Sequence, residues 1–157
     1  MRGTKAGDVL RTDGMDQGVV QALRAIAGEG SDLHARHRIH LDIVSPGVPM
    51  LPAEPLWHPL QLDLERFDVR VLDVHDVVVS KLKRWNAGDR DDARAMVEGG
   101  HVDRDRLVAR FRSVTERYRF DGRADLLPVM ARRLDQVERD GFALPETGFS
   151  SPAEWFR

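Results

Sequence analysis

The stretch Val69–Val97 constrains the fold of this chain most, because it specifies a strand, two helices and the break between them. Its first part, Val69–Leu72, is a β-branched run that predicts a short strand. Asp73 then occupies a helix N-cap position, and apolar residues recur at helical spacing over Val74–Trp85. A three-residue break, Asn-Ala-Gly, precedes a second helical pattern over Asp89–Val97, which Asp89 is expected to cap.

Lys81 does not fit the apolar stripe of the first of these helices. It lies four residues after Val77 and three after Val78, on the core-facing side, in a chain with only three lysines. A buried charge without a partner is unfavourable, so the ammonium group needs an anion. Two interpretations stay open: the side chain extends to Asp92 or to solvent, or it binds a ligand phosphate.

Composition excludes several classes of function. The 157 residues are enough for one domain with a sizeable core, and the net charge of -2 gives no global argument for nucleic-acid binding. The absence of cysteine excludes disulfides, thiolate metal sites and cysteine nucleophiles. Neither a signal core nor a run of roughly 18 apolar residues is present, which predicts a cytoplasmic protein without a membrane partner.

The clearest strand is Arg38–Val44, where apolar residues alternate with polar ones. Asp42 lies in the middle of this run, either as an exposed strand acid without a role or as a metal ligand. Before it, Gln17–Ala27 predicts a helix, and the polar segment Ser31–Arg38 predicts a loop or the start of a strand. Histidines recur every third residue at His34, His37 and His40, a spacing that favours zinc binding only on a helix.

A proline-rich segment and an arginine-rich helix complete the pattern. Ser45–Pro59 contains five prolines, which predicts a long loop with Trp57 and His58 as a lid or an anchor. Gln61–Phe67 predicts an irregular strand.

Asp103 is expected to cap a helix whose arginines form either a solvated face or an RNA-binding surface, and Ala124–Val137 predicts a last helix that ends at Gly141. The final residues form a tail with aromatic anchors.

The motif DVVVSKLKRW, followed by GDRDDARAM, resembles the second half of bacterial nucleotidyltransferase-like proteins related to abortive-infection and toxin–antitoxin systems. In that family a strand leads into a helix with an S-K-L-x-R motif, and a K-D-x-x-D motif follows a short break. The matching residues are Ser80, Lys81, Leu82, Arg84, Asp89 and Asp92, and Gly88 replaces the lysine of the second motif.

The resemblance extends to the N-terminus, where the family carries R-x-T-x-D-x-D on a strand. Carboxylates two apart on a strand point the same way and can hold one cation. Arg2, Thr4 and Asp8 match this motif, but Ala6 stands at the first carboxylate position. The helix and Gly-rich turn that precede the motif are missing, so the chain either begins inside a longer protein or has lost part of a catalytic site.

Asp13 and Asp16 are an alternative carboxylate pair. Their spacing of three does not place them on one face of a strand, and Gly14 between them indicates a turn.

The resemblance implies an α/β (α+β) fold: a small mixed β-sheet of the minimal nucleotidyltransferase type over residues 1–72, then a helical part over residues 73–157. It implies Mg²⁺-dependent transfer of a nucleotide from an NTP to a hydroxyl of RNA, possibly tRNA, or of protein, in a toxin with an antitoxin partner. The expected metal ligands are Asp8 and Asp42, with Lys81 as the third catalytic residue. Nucleotide binding is assigned to Arg2, Thr4, Lys81 and Arg84. The alternative is a binding or scaffold protein that keeps the fold but has lost the site.

Overall fold

The computed structural model describes residues 6–12, 14–61, 69–145 and 147–148. The strands in these ranges are β1 (Ala6–Leu10), β2 (His40–Val44), β3 (Trp57–Pro59) and β4 (Arg70–Leu72). The helices are α1 (Gln17–Ala27), α2 (Asp32–His37), α3 (Val74–Lys81), α4 (Ala87–Glu98), α5 (Arg104–Tyr118) and α6 (Leu127–Gly141), with a 3-10 turn at Ala124–Leu126. The chain divides into two compact units, Met1–Val48 and Pro49–Arg157.

The first unit is a parallel strand pair with a helical crossover. β1 and β2 pair in parallel, and α1 and α2 connect them, since parallel strands cannot be joined by a tight turn. α1 packs on β2 and buries Val20 and Ala27. Asp16 caps α1 by accepting a hydrogen bond from the Val19 N–H at 2.8 Å. The sequence predicted α1 and β2 closely.

The segment before β2 is helical, so its prediction as a loop or strand start is wrong. The Ser31 hydroxyl accepts a hydrogen bond from the His34 N–H at 3.2 Å and starts α2. Arg38 ends the helix in the left-handed conformation, with φ of 59°. The capping serine overrides the weak periodicity of this short segment.

The second unit is built around an apolar core between helices. α3 packs on α5, and α4 and α5 each pack on α6. Fully buried side chains from these helices fill the space between them, among them Leu82, Phe111 and Leu134. Met50, from the proline-rich segment, is also fully buried, so this segment is part of the core of the unit and not a loose surface loop.

β3 and β4 form a separate antiparallel pair within the second unit. Trp57 lies opposite Leu72 and Pro59 opposite Arg70, a position at a sheet edge that proline tolerates. The mixed α/β class is confirmed, but the single mixed sheet expected over residues 1–72 is instead two two-stranded sheets within the described ranges. The two compact units divide between Val48 and Pro49, and the division into residues 1–72 and 73–157 stays a prediction.

The helix starts follow the predicted caps with one exception. Asp73 and Asp103 cap α3 and α5. The cap of α4, however, is Asn86 and not Asp89, because Asp89 is the third helical residue and completes a capping box with Asn86. α3 ends at Lys81, earlier than its apolar pattern, and Trp85 adopts a φ of 55°.

The structure leaves parts of the sequence undescribed. The strand expected over Gln61–Phe67 falls almost entirely outside the described residues, as does the aromatic tail after residue 148. In the described ranges, no helix has the length and apolar character needed to cross a membrane.

Candidate functional site

The two predicted metal ligands lie on neighbouring strands of the parallel pair. Asp8 on β1 is the register partner of Asp42 on β2. Register partners on neighbouring strands about 4.8 Å apart project from the same side of a sheet. Both residues are exposed, with 56% of the Asp42 side chain accessible, so an ion and its water ligands could reach them.

Of the other residues predicted near the N-terminus, three lie outside the described residues and one caps a helix. Arg2 and Thr4 lie outside the described residues, and so does Asp13. Asp16 caps α1, which accounts for one member of the alternative carboxylate pair.

His40 lies on the same side of β2 as Asp42, two residues before it. Its Nε2 is 3.6 Å from the Asp42 Oδ2, and its side chain is 15% exposed. His40 is the register partner of Ala6. The ring of His34 packs against the His40 ring at a centroid distance of 4.8 Å.

The carboxylate pair can be compared with what Mg²⁺ requires. Carboxylate oxygens are the donors this ion prefers, and it is commonly bound by one or two carboxylates with substrate phosphates and water completing the shell. Asp8 and Asp42 match that requirement in donor type, and the strand register puts both on one face of the sheet. In the part of the chain that the structure describes, no three His, Asp or Glu side chains converge closely enough to hold a metal.

Lys81 and Arg84 belong to the second unit and already have carboxylate partners. The Lys81 Nζ lies 2.7 Å from the Asp92 Oδ2 and 3.6 Å from the Asp89 Oδ1. Arg84 makes two hydrogen bonds to Asp89, each of 2.8 Å. These hydrogen bonds are the main cause that lowers the pKa of Asp89, which is almost fully buried.

The contact between Lys81 and Asp92 agrees with the first of the two interpretations of Lys81, in which its side chain extends to Asp92. Lys81, Arg84, Asp89 and Asp92 thus form an internal network that links the end of α3 to α4. The assignment of Lys81 and Arg84 to a triphosphate stays a prediction.

A second cluster of polar side chains surrounds Asp73, which is 3% exposed. Its Oδ1 accepts hydrogen bonds from the backbone N–H of His75 at 3.0 Å and from the His75 ring at 2.7 Å. Its Oδ2 contacts the His58 Nε2 at 2.8 Å and an Arg106 nitrogen at 3.2 Å. This cluster joins β3, α3 and α5 through one carboxylate.

The protonation of this cluster follows from its hydrogen bonds. The His75 Nε2 accepts a hydrogen bond from the Asp103 N–H at 2.9 Å, so the Nδ1 is the ring nitrogen that donates to Asp73. Burial by itself raises the pKa of Asp73, but the hydrogen bonds from His58 and His75 outweigh it and lower the pKa to about 2. Asp73 is therefore ionised at neutral pH and holds His58 in place.

The arginine-rich face of α5 is used inside the second unit. Arg110 binds the fully buried Asp76 through two hydrogen bonds of 2.6 and 2.8 Å. Arg117 donates to the carbonyls of Leu51 and Pro52 at 3.1 and 2.6 Å. Arg110, through the Glu54 carbonyl, and Arg117 thus fasten the proline-rich segment to α5, whereas Arg106 binds Asp73 at the start of α3. These contacts favour a structural role over the RNA-binding alternative.

The sequence did not predict the ion pairs that Asp73 and Asp76 form with the arginines of α5. Asp73 and Asp76 were assigned only to the start of α3, because their partners lie 15 to 34 residues away. The available signal was the presence of two acids at the start of an otherwise apolar helix, with arginines four apart on α5. Trp57 is 40% exposed on β3, and its role as a lid or an anchor stays a prediction.

No protein-family model, curated protein or solved structure matches this chain. The site must therefore be interpreted from its own residues and their geometry.

Proposed function

We propose that the protein is a nucleotidyltransferase-like enzyme that transfers a nucleotide from an NTP to a hydroxyl of RNA or protein. The observation that carries the proposal is the parallel register of β1 and β2, which pairs Asp8 with Asp42. The two acids are 34 residues apart in sequence, yet they share a sheet face as two carboxylates of one metal site must.

The chemistry requires little more from the protein than positioning and charge. The acceptor hydroxyl attacks the α-phosphorus of the NTP, the bond to the pyrophosphate oxygen breaks, and the hydroxyl proton passes to a base or to water. Asp8 and Asp42 would hold the cation, and Mg²⁺ when bound would neutralise charge on the transferring group. The assignment of Lys81, Arg84, Arg2 and Thr4 to the triphosphate comes from the resemblance alone.

The experiment is a labelling assay with each of the four α-labelled NTPs and a panel of RNA and protein acceptors. We expect labelling that depends on Mg²⁺ and is abolished by EDTA. Asp42→Asn should reduce the rate by about 100-fold or more, because a lost metal ligand removes several kcal/mol of transition-state stabilisation. Asp32→Asn, an exposed acid on α2 of the same unit, is the matched control and should keep full activity.

The role of Lys81 is tested by the same assay. Lys81→Met should raise the KM for the NTP if the ammonium group leaves Asp92 to bind phosphate. An unchanged KM and kcat, with a small loss of stability, would assign Lys81 to the α3–α4 network alone. Absence of labelling across all nucleotides and acceptors, with folded protein, would refute the enzymatic proposal.

The toxin role is a further part of this proposal. It rests on the resemblance alone and is tested in cells. Induced expression should arrest growth, Asp42→Asn should not, and an antitoxin encoded beside the gene should relieve the arrest. Normal growth with full expression of the unaltered chain would count against a toxin.

A scaffold or binding protein is the second candidate, and Ala6 favours it. The position opposite His40 carries a methyl group where the family motif has a carboxylate. If the site is degenerate, Mg²⁺ with NTP should not shift the melting temperature, and Ala6→Asp should introduce nucleotide binding. Mg²⁺-dependent labelling of an acceptor by the unaltered chain would exclude this candidate.

A further inference from the structure

His58 is an exposed histidine that contacts a buried, ionised carboxylate. Its Nε2 lies 2.8 Å from the Asp73 Oδ2, and 56% of the His58 side chain is accessible, against 5% for Asp73. An ionised carboxylate only accepts hydrogen bonds, so the Nε2 carries the proton and donates it. In the neutral ring the Nδ1 then has a lone pair, and this atom has no hydrogen-bond partner among the described residues.

The hydrogen bonds around Asp73 hold this geometry. Both of its carboxylate oxygens are occupied: the backbone N–H and the ring of His75 donate to Oδ1, and His58 and Arg106 contact Oδ2. The Asp73 N–H donates to the Leu56 carbonyl at 2.8 Å, directly before β3. The carboxylate is therefore fixed in place, and it needs little reorganisation when positive charge develops on the His58 ring.

Arg106 places a positive group beside the His58 ring. Its Nη2 lies 3.2 Å from the same Asp73 oxygen that His58 contacts, and 49% of the Arg106 side chain is accessible. In the part of the chain that the structure describes, its other guanidinium N–H groups have no partner. A guanidinium binds phosphoryl oxygens through two parallel hydrogen bonds. A nitrogen nucleophile and an anion-binding group thus lie side by side at the surface of the second unit.

We propose that His58 is a phosphoryl-accepting residue whose Nδ1 takes the phosphoryl group of an acyl phosphate, while Arg106 binds the oxygens of that group. Arg106 favours phosphoryl over acyl transfer, since a phosphoryl group is already anionic when it binds. The residues of this site are not those assigned to nucleotidyl transfer, so each proposal is tested separately.

The transfer step requires no movement of a proton. The Nδ1 lone pair attacks phosphorus and forms the N–P bond, while the P–O bond to the acyl group breaks and the carboxylate leaves with its electron pair. The proton on the Nε2 stays in place, so the ring gains one positive charge. Asp73 lies 2.8 Å from that nitrogen and stabilises the charge as it develops in the transition state.

The experiment treats the folded full chain with acetyl phosphate at neutral pH and measures the phosphorylation rate of each histidine by peptide mass spectrometry. His101 is the internal reference, because it is an exposed histidine of the same unit without a carboxylate partner among the described residues. We expect His58 to react at least about 10-fold faster than His101. Proton–nitrogen correlation spectra of the imidazole ring should place the phosphoryl group on the Nδ1.

Two variants test the groups that act on His58. Asp73→Asn removes the charge but keeps a side chain that can cap α3, and it should lower the His58 rate to that of His101. Arg106→Met leaves Asp73 in place if Asp73→Asn fails to fold, and it should raise the acetyl phosphate concentration needed for half the maximal rate. Arg132→Met removes an exposed arginine of α6 and is the matched control. Circular dichroism shows whether each variant is folded.

Equal phosphorylation rates for His58 and His101 in the folded chain would overturn the proposal, and so would a phosphoryl group on the Nε2. An undiminished His58 rate in folded Asp73→Asn would also overturn it, because the carboxylate charge is the proposed cause of the reactivity. Fast, Nδ1-specific phosphorylation that depends on Asp73 and Arg106 would support it.

Discussion

Arg110 and Asp76 form the ion pair whose removal should damage the second unit most. The Asp76 side chain has no exposed surface and receives two hydrogen bonds from Arg110 and one of 2.9 Å from the Leu56 N–H. Arg110 also donates to the Glu54 carbonyl at 2.8 Å. Arg110→Met preserves much of the side-chain volume but leaves a buried carboxylate with one donor.

The expected loss is about 3–5 kcal/mol, the range for breaking a buried ion pair by removal of one partner. Solvent screening is small because the Arg110 side chain is only 16% exposed and that of Asp76 is fully buried. A domain has a total stability of about 5–15 kcal/mol, so this single change should remove a large part of it.

Urea unfolding followed by the fluorescence of Trp57 and Trp85 reports on this unit. With an m-value of about 2 kcal/mol/M, the midpoint should fall by about 1.5–2.5 M. Asp76→Asn combined with Arg110→Met should be more stable than Arg110→Met alone, since the unpaired charge is then gone. Both variants are compared at the pH of maximum stability.

Arg132→Met is the matched control, since Arg132 is exposed on α6 and its substitution should change stability by about 0.5 kcal/mol or less. If Arg110→Met lost no more than this control, the buried pair would not be holding the proline-rich segment on α5. A large and equal loss in Arg110→Met and in the double variant would also refute the explanation, because the cost would then not come from the unpaired charge.

Three further measurements test the structure. The pKa of Asp73 is lowered from 3.8 to about 2, so ionised Asp73 should contribute about 2 kcal/mol to the free energy of unfolding. This contribution should be complete above about pH 4 and lost as pH falls toward 2. Urea unfolding at several pH values should show this pH dependence in the unaltered chain and not in Asp73→Asn. Asp89→Ala removes the hydrogen bonds from Arg84 and part of the α4 capping box, and should lower stability by about 2 kcal/mol in the same assay, whereas no change would show that the network is dispensable. Gly100→Ala should cost about 1 kcal/mol because Gly100 has a φ of 70° with open space around its Cβ position, and a neutral thermal melt would contradict the strain.

Local patterns were sufficient to predict several elements. The apolar spacing of Gln17–Ala27 predicted α1 with its observed bounds, and the alternation before Val44 predicted β2. Asp73 and Asp103 were recognised as caps because capping depends on residues two or three positions away. These features are short-range, so neighbouring residues contain the information.

The sequence was insufficient where the deciding contact is distant. It predicted one mixed sheet, but the described strands form two separate pairs. A linear pattern of residues does not show which strands hydrogen-bond to each other. It assigned the arginines of α5 to solvent or RNA, because nothing local indicates that Arg110 reaches Asp76 or that Arg117 reaches Pro52.

In the candidate site too, the sequence determined some features and the tertiary structure decided the others. The sequence by itself supplied the acids Asp8 and Asp42, the alanine at position 6 and the alternation that puts His40 and Asp42 on one side of a strand. Only the tertiary structure decided that β1 lies beside β2 in a register that sets Asp8 opposite Asp42 and Ala6 opposite His40. The physical reason is that side-chain direction is set by backbone geometry within a strand, whereas the register of two strands depends on hydrogen bonds and packing across the 29 residues between them.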